Sequence, residues 1–124
     1  MKILMTRHLI HHQKDSHMLC LIIPDEIKVA LQWSHTTLLN LYLDQADRKI
    51  VLERSTNSQL PLLFERKLSK VNPQRPQLMI SIPSAVVKYL GLHGKRPIYM
   101  LADTEADRVY IYSQWRAPVK ATTA

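Results

Sequence analysis

The residues Arg66-Lys67-Leu68-Ser69-Lys70-Val71-Asn72-Pro73-Gln74-Arg75 carry four positive side chains and no acid. Guanidinium and ammonium groups at this density suit phosphate oxygens, and an arginine fork can also bond two acceptors on a guanine edge. A basic run is also an ordinary solvated strand face. The choice between the two depends on what else the chain places beside Arg66, Lys67, Lys70 and Arg75.

Other reactive residue types are present but poorly arranged for chemistry. His8, His11, His12, His17 and Cys20 are of types that bind zinc or nickel, yet their spacing matches no standard site, and no metal is expected. Protonation of His8 and His11 would instead add positive charge where the second half of the chain has Lys67 and Lys70, which would make nucleic-acid binding pH-sensitive. Ser34-His35 are sequence neighbours on a turn with no aspartate placed to orient the imidazole. Asp44 and Asp103 read as turn residues, not as a catalytic pair. Neither glycine sits in a phosphate-cradle frame, so no nucleotide cofactor is expected. Nothing here argues for an enzyme.

Composition sets the wider bounds. The chain has 124 residues, a formal net charge of +7, 46% hydrophobic residues and one cysteine. That is enough apolar material for one core, and too few cysteines for a disulfide framework or a multi-cysteine zinc module. No apolar run is long enough to span a bilayer, so the expectation is a basic, cytoplasmic protein with no membrane partner. Residues 1–59 sum to +1 and residues 60–124 to +6.

Sliding the chain along itself by 59 residues reveals a repeat. Leu4, Arg7, Leu9, Leu19, Ile23, Pro24, Leu31 and Asp44 meet Leu63, Arg66, Leu68, Leu78, Ile82, Pro83, Leu90 and Asp103. The apolar period agrees throughout, and Arg7-His8 thereby become counterparts of Arg66-Lys67. Each copy reads as ββαββ. In the second, Leu62–Val71 is a strand, Asn72–Pro76 a loop, and Gln77–Ile82 a half-buried strand. A short helix opens at Pro83-Ser84 and is capped by Gly91, and Ile98–Ala102 with Val109–Ser113 form a hairpin. In the first copy Gln32 replaces the capping glycine, which predicts a less sharply defined helix end. Trp33 and Leu92, matched after the helices, read as core. The expected organisation is residues 1–54, a linker at 55–60, residues 61–113 and a short tail at 114–124. One copy alone buries too little surface to fold, so each should bury its apolar faces against the other.

The order strand, Ile-Pro, short helix ending Leu-Gly-Leu, then hairpin resembles the swapped-hairpin AbrB-like family of transition-state regulators and MazE-type antitoxins. Ile80-Ser81-Ile82-Pro83 through Leu90-Gly91-Leu92 carries the pattern best, and Leu21-Ile22-Ile23-Pro24 repeats it. Leu78-Met79 and Leu19-Cys20 stand where the family has Gly-Arg. The resemblance implies a mostly β fold with two short helices, closed into a swapped-hairpin barrel by the two repeats as a pseudo-dimer. It also implies double-stranded DNA as partner, and adds Lys28 and Lys88, at a basic helix position, to Arg7, His8, Arg66, Lys67, Lys70 and Arg75. The second copy should dominate asymmetric half-site contacts. The leading expectation is a transcriptional regulator. The alternatives are an antitoxin, for which the short basic tail is unsuited to a toxin partner, and a protein assembly module without nucleic acid. Leu60–Phe64 offers a sticky edge for a homo-oligomer of pseudo-dimers.

Overall fold

In the computed structural model, residues 2–11, 19–54, 62–92 and 95–114 are described here. Ten strands and two helices follow in the order β1 (Lys2–His8), β2 (Ile10–His11), β3 (Leu19–Ile23), α1 (Asp25–Leu31), β4 (Leu38–Asp44) and β5 (Lys49–Glu53), then β6 (Leu62–Lys67), β7 (Ser69–Lys70), β8 (Leu78–Ile82), α2 (Ser84–Leu90), β9 (Pro97–Asp103) and β10 (Arg108–Tyr112). Apart from the first residue of β1, every element of the first group recurs 59 residues later.

The strands form two antiparallel sheets. The larger runs β1-β9-β10-β5-β4-β6 and the smaller β2-β3-β8-β7. Exchanging the halves reverses each order and leaves it unchanged. Leu21 faces Ile80 between β3 and β8, and Val51 faces Tyr110 between β5 and β10. Both are pairs of repeat-equivalent residues, so a pseudo-twofold axis passes through the centre of each sheet. β1 pairs with β9, and β6 with β4. Each half's first strand therefore borders the other half's hairpin.

The expected closed barrel is not formed, and both sheets remain open. The reason lies at two corners. The continuous first strand expected in each repeat is broken at one leucine, Leu9 between β1 and β2 and Leu68 between β6 and β7. Both leucines are buried in the common core, so the backbone must leave the large sheet there to enter the small one. The Leu68 N–H bonds the Thr37 carbonyl at 2.9 Å, one step past the Leu38–Lys67 pair, so the backbone donor at the corner is still satisfied from the β4 side. β1 and β6 stay as the two edges of the large sheet instead of meeting.

One core lies between the sheets. Leu21, Ile23, Ile80 and Ile82 come from the small sheet, and Leu39, Leu41, Ile50, Leu52, Ile98, Met100, Val109 and Ile111 from the large one. Ile27, Leu31, Val86 and Leu90 supply the helix stripes, and Trp33 and Leu92 are buried beside them. Pro24 and Pro83 are the N-caps, their carbonyls accepting the first helical N–H bonds. Both helices have seven residues and end on a left-handed residue, Gln32 at φ 57° and Gly91 at φ 65°. Gln32 thus closes its helix as sharply as glycine does, contrary to expectation. Its N–H bonds the α1 carbonyls, so the cap geometry holds despite the cost of a side chain in that region.

Candidate nucleic-acid interface

The corner at Leu68 fixes the first basic residues. Arg66 lies opposite Leu39 in the β6–β4 ladder, on the core side of the sheet edge, and Lys67 lies opposite the exposed Leu38. From that edge the Arg66 guanidinium reaches β8, where Nη1 donates to Ser81 Oγ at 2.9 Å. It also stacks 5.0 Å from the Phe64 ring centroid. Its Nε is buried with no hydrogen-bond partner among the described residues. Arg66 is therefore half-buried and held by two contacts, while the rest of its fork faces a shallow depression of 410 Å³ lined by Cys20, Lys67, Ser69, Met79 and Ser81.

Along the same border, Lys70 is exposed in β7, opposite Leu78. Beyond it the Val71 N–H bonds the Gln77 carbonyl at 3.0 Å, extending the β7–β8 ladder to a five-residue loop, and Arg75 is exposed near its tip. Lys28 arrives from the other half. Its Nζ donates to the Pro76 carbonyl at 3.3 Å and lies 3.8 Å from Asp25. The structure thus places Arg66 and Lys67, at the β6 edge of the large sheet, where the chain passes into the β7 edge of the small sheet, which carries Lys70, Arg75 and the incoming Lys28.

The opposite edge is poorer. Arg7 lies opposite Ile98 and His8 opposite Pro97, in the register equivalent to Arg66 and Lys67, but on the far edge of the large sheet. Arg7 is exposed, and among the described residues its side chain bonds only the neighbouring Thr6 carbonyl, from Nη1 at 2.7 Å. The repeat puts Ile22 where Ser81 stands and Met5 where Phe64 stands, so neither anchor exists for it. Lys88 is exposed in the last turn of α2. The loop containing His12 and His17 lies outside the described residues, as does the linker 55–60. Among the described residues, no group of three His, Cys, Asp or Glu could hold a metal, and no helix is long and apolar enough to cross a membrane.

The remaining polar residues do structural work. The Ser34 hydroxyl lies 2.8 Å from the Thr36 hydroxyl and accepts the Thr36 N–H, so it is tied into its own turn. Asp44 accepts the Asp47 N–H, and Asp103 accepts those of Glu105 and Ala106, as turn aspartates do. On the far face of the large sheet, Asn40, Glu53 and Arg108 stand in one row across β4, β5 and β10. Arg108 Nε bonds Glu53 Oε2, and this bond is the main cause that raises the guanidinium pKa further. Burial first, then the Glu53 charge, raises the Tyr42 pKa above its ordinary value.

Ser81 was not a candidate from the sequence. It alternates outward in its strand as any solvated serine would, and only folding brings Arg66 to it across 15 residues. The chain matches no known family model, no curated protein and no solved structure.

Proposed function

We propose that this chain is a double-stranded DNA-binding transcriptional regulator whose two repeats form an AbrB-like pseudo-dimer. The observation that carries the reading is the basic border running from β6 into β7, where Arg66, Lys67, Lys70 and Arg75 of one half are joined by Lys28 of the other. Phosphate contacts from four to five such groups give a log K that falls with log salt at a slope of about −4. The interleaving of β1 with β9 and β6 with β4 agrees with the swapped hairpins of that family, although the sheets here stay open. A mobility-shift titration of the full chain on duplex DNA at low and moderate salt tests it. Binding that weakens steeply with salt supports the reading, and no binding at low salt overturns it.

A second reading has one observation in its favour. β6 is an edge strand with Leu62 52% and Phe64 39% exposed, a surface suited to pairing with another chain. An assembly module would appear in light scattering as an oligomer of this chain that ignores DNA.

A further inference from the structure

We infer that base discrimination by this chain resides in Gln74 and Arg75, at the tip of the β7–β8 hairpin, while Arg66 and Lys67 supply affinity without sequence preference. The inference rests on the nucleic-acid reading above and assigns different tasks to two parts of that border.

The tip is built to hold its shape. The Asn72 side-chain Oδ1 accepts the Gln74 N–H at 2.9 Å, and the Asn72 carbonyl accepts the Arg75 N–H at 3.2 Å. Pro73 and Pro76 each fix a backbone angle, and Lys28 bonds the Pro76 carbonyl from the other half. Gln74 and Arg75 are exposed, and their side chains make no hydrogen bond or ion pair among the described residues. A two-stranded β ribbon fits the major groove, where Gln pairs with adenine and Arg with guanine through two bonds each. A rigid loop presenting those two free side chains loses little conformational entropy when it reads a base edge.

Arg66 is placed for the other task. One of its donors is committed to Ser81 and its plane packs on Phe64, so it offers a fixed positive charge with fewer free donors. Such a group orients a phosphate. The repeat gives Gln13-Lys14-Asp15-Ser16-His17 as the counterpart of the tip, with neither proline, and with Asp15 and Ser16 in place of Gln74 and Arg75. Discrimination is therefore one-sided, and the preferred DNA site is not a palindrome.

The test selects bound duplexes from a randomised pool with the full chain, sequences them, and then measures affinity for the selected site and a scrambled one. Gln74→Ala and Arg75→Ala should each lose roughly 5- to 150-fold of that preference, the range expected for one bidentate base contact. Arg75→Lys keeps the charge but not the fork, so it should lose preference with an unchanged salt slope. Arg66→Ala with Lys67→Ala should weaken binding to both duplexes alike and reduce the slope by about two. Both tip residues are exposed, so the melting temperature should not change, and this controls for folding. An unaltered preference in the tip variants, a palindromic selected site, or a wild-type chain without preference would overturn the inference alone. No duplex binding by the wild-type chain would overturn both it and the reading beneath it.

Discussion

Arg66 and Arg7 occupy equivalent positions at the two sheet corners, yet one is anchored and the other is not. Arg66 has a serine to bond and a phenylalanine to pack on, whereas Arg7 has, among the described residues, only the carbonyl of its neighbour. The backbone does not cause the difference, because both strands leave the large sheet at the same repeat position. Two substitutions cause it, Ile22 for Ser81 and Met5 for Phe64. A symmetric scaffold therefore carries asymmetric chemistry, because the core enforces the fold while the exposed positions are free to differ.

The corners themselves give the largest expected effect. Leu9 and Leu68 are 3% and 1% exposed, and truncating either to alanine should cost about 2–5 kcal/mol, measured by denaturant unfolding. Similar losses at the two sites would show that the scaffold is symmetric where it matters for folding. Next in size is DNA affinity. Arg66→Ala with Lys67→Ala should lower the salt slope by about two, and Arg7→Ala by one at most. Equal losses would break the comparison.

Alkaline stability probes a further substitution between the halves, beside the Tyr112 phenol that burial raises in the second. The repeat counterpart of Tyr42 is Leu101, so only the first half has a phenol at this buried position. Because the folded-state pKa of Tyr42 is raised, the unfolded chain releases its proton first as pH climbs past the ordinary tyrosine value near 10. Stability should therefore be full below that pH and fall above it, and Tyr42→Phe should flatten the fall in thermal melts taken across that range. Smaller still, Gln32→Gly should stabilise by roughly 0.5–1 kcal/mol, and Gly91→Ala should destabilise by about as much. A side chain added at Gly91 meets nothing within 4 Å, so only its φ of 65° opposes it. Last, Ile22→Ser tests whether the missing anchor is enough. It should tighten DNA binding a few-fold by holding Arg7 as Arg66 is held, worth about 0.5–1 kcal/mol for one hydrogen bond.

The small sheet, both helices and both hairpins were legible because Ile-Pro, the alternation of Leu78, Ile80 and Ile82, and the turn aspartates each specify local structure. The breaks at Leu9 and Leu68 were not. The pattern Phe64, Arg66, Leu68, Lys70 does not resolve which face is buried, and no glycine or proline marks where either strand changes sheets. Nor could composition show that the sheets stay open, since closure depends on whether β1 and β6 approach each other. At the candidate site, charge and repeat pointed to Arg66, Lys67, Lys70, Arg75 and Arg7, and the family resemblance to Lys28 and Lys88. They did not show that Lys28 crosses to Pro76 or that Ser81 restrains Arg66, because both contacts are made only between distant segments.

Each opening strand completes its neighbour's hairpin inside a single polypeptide. In an assembly of identical subunits every replacement appears twice, and a change helpful on one side is imposed on the other. Here a replacement appears once. One side can thus be selected for a new contact while its twin is retained for shape, and the folding midpoint of such a molecule should not vary with protein concentration.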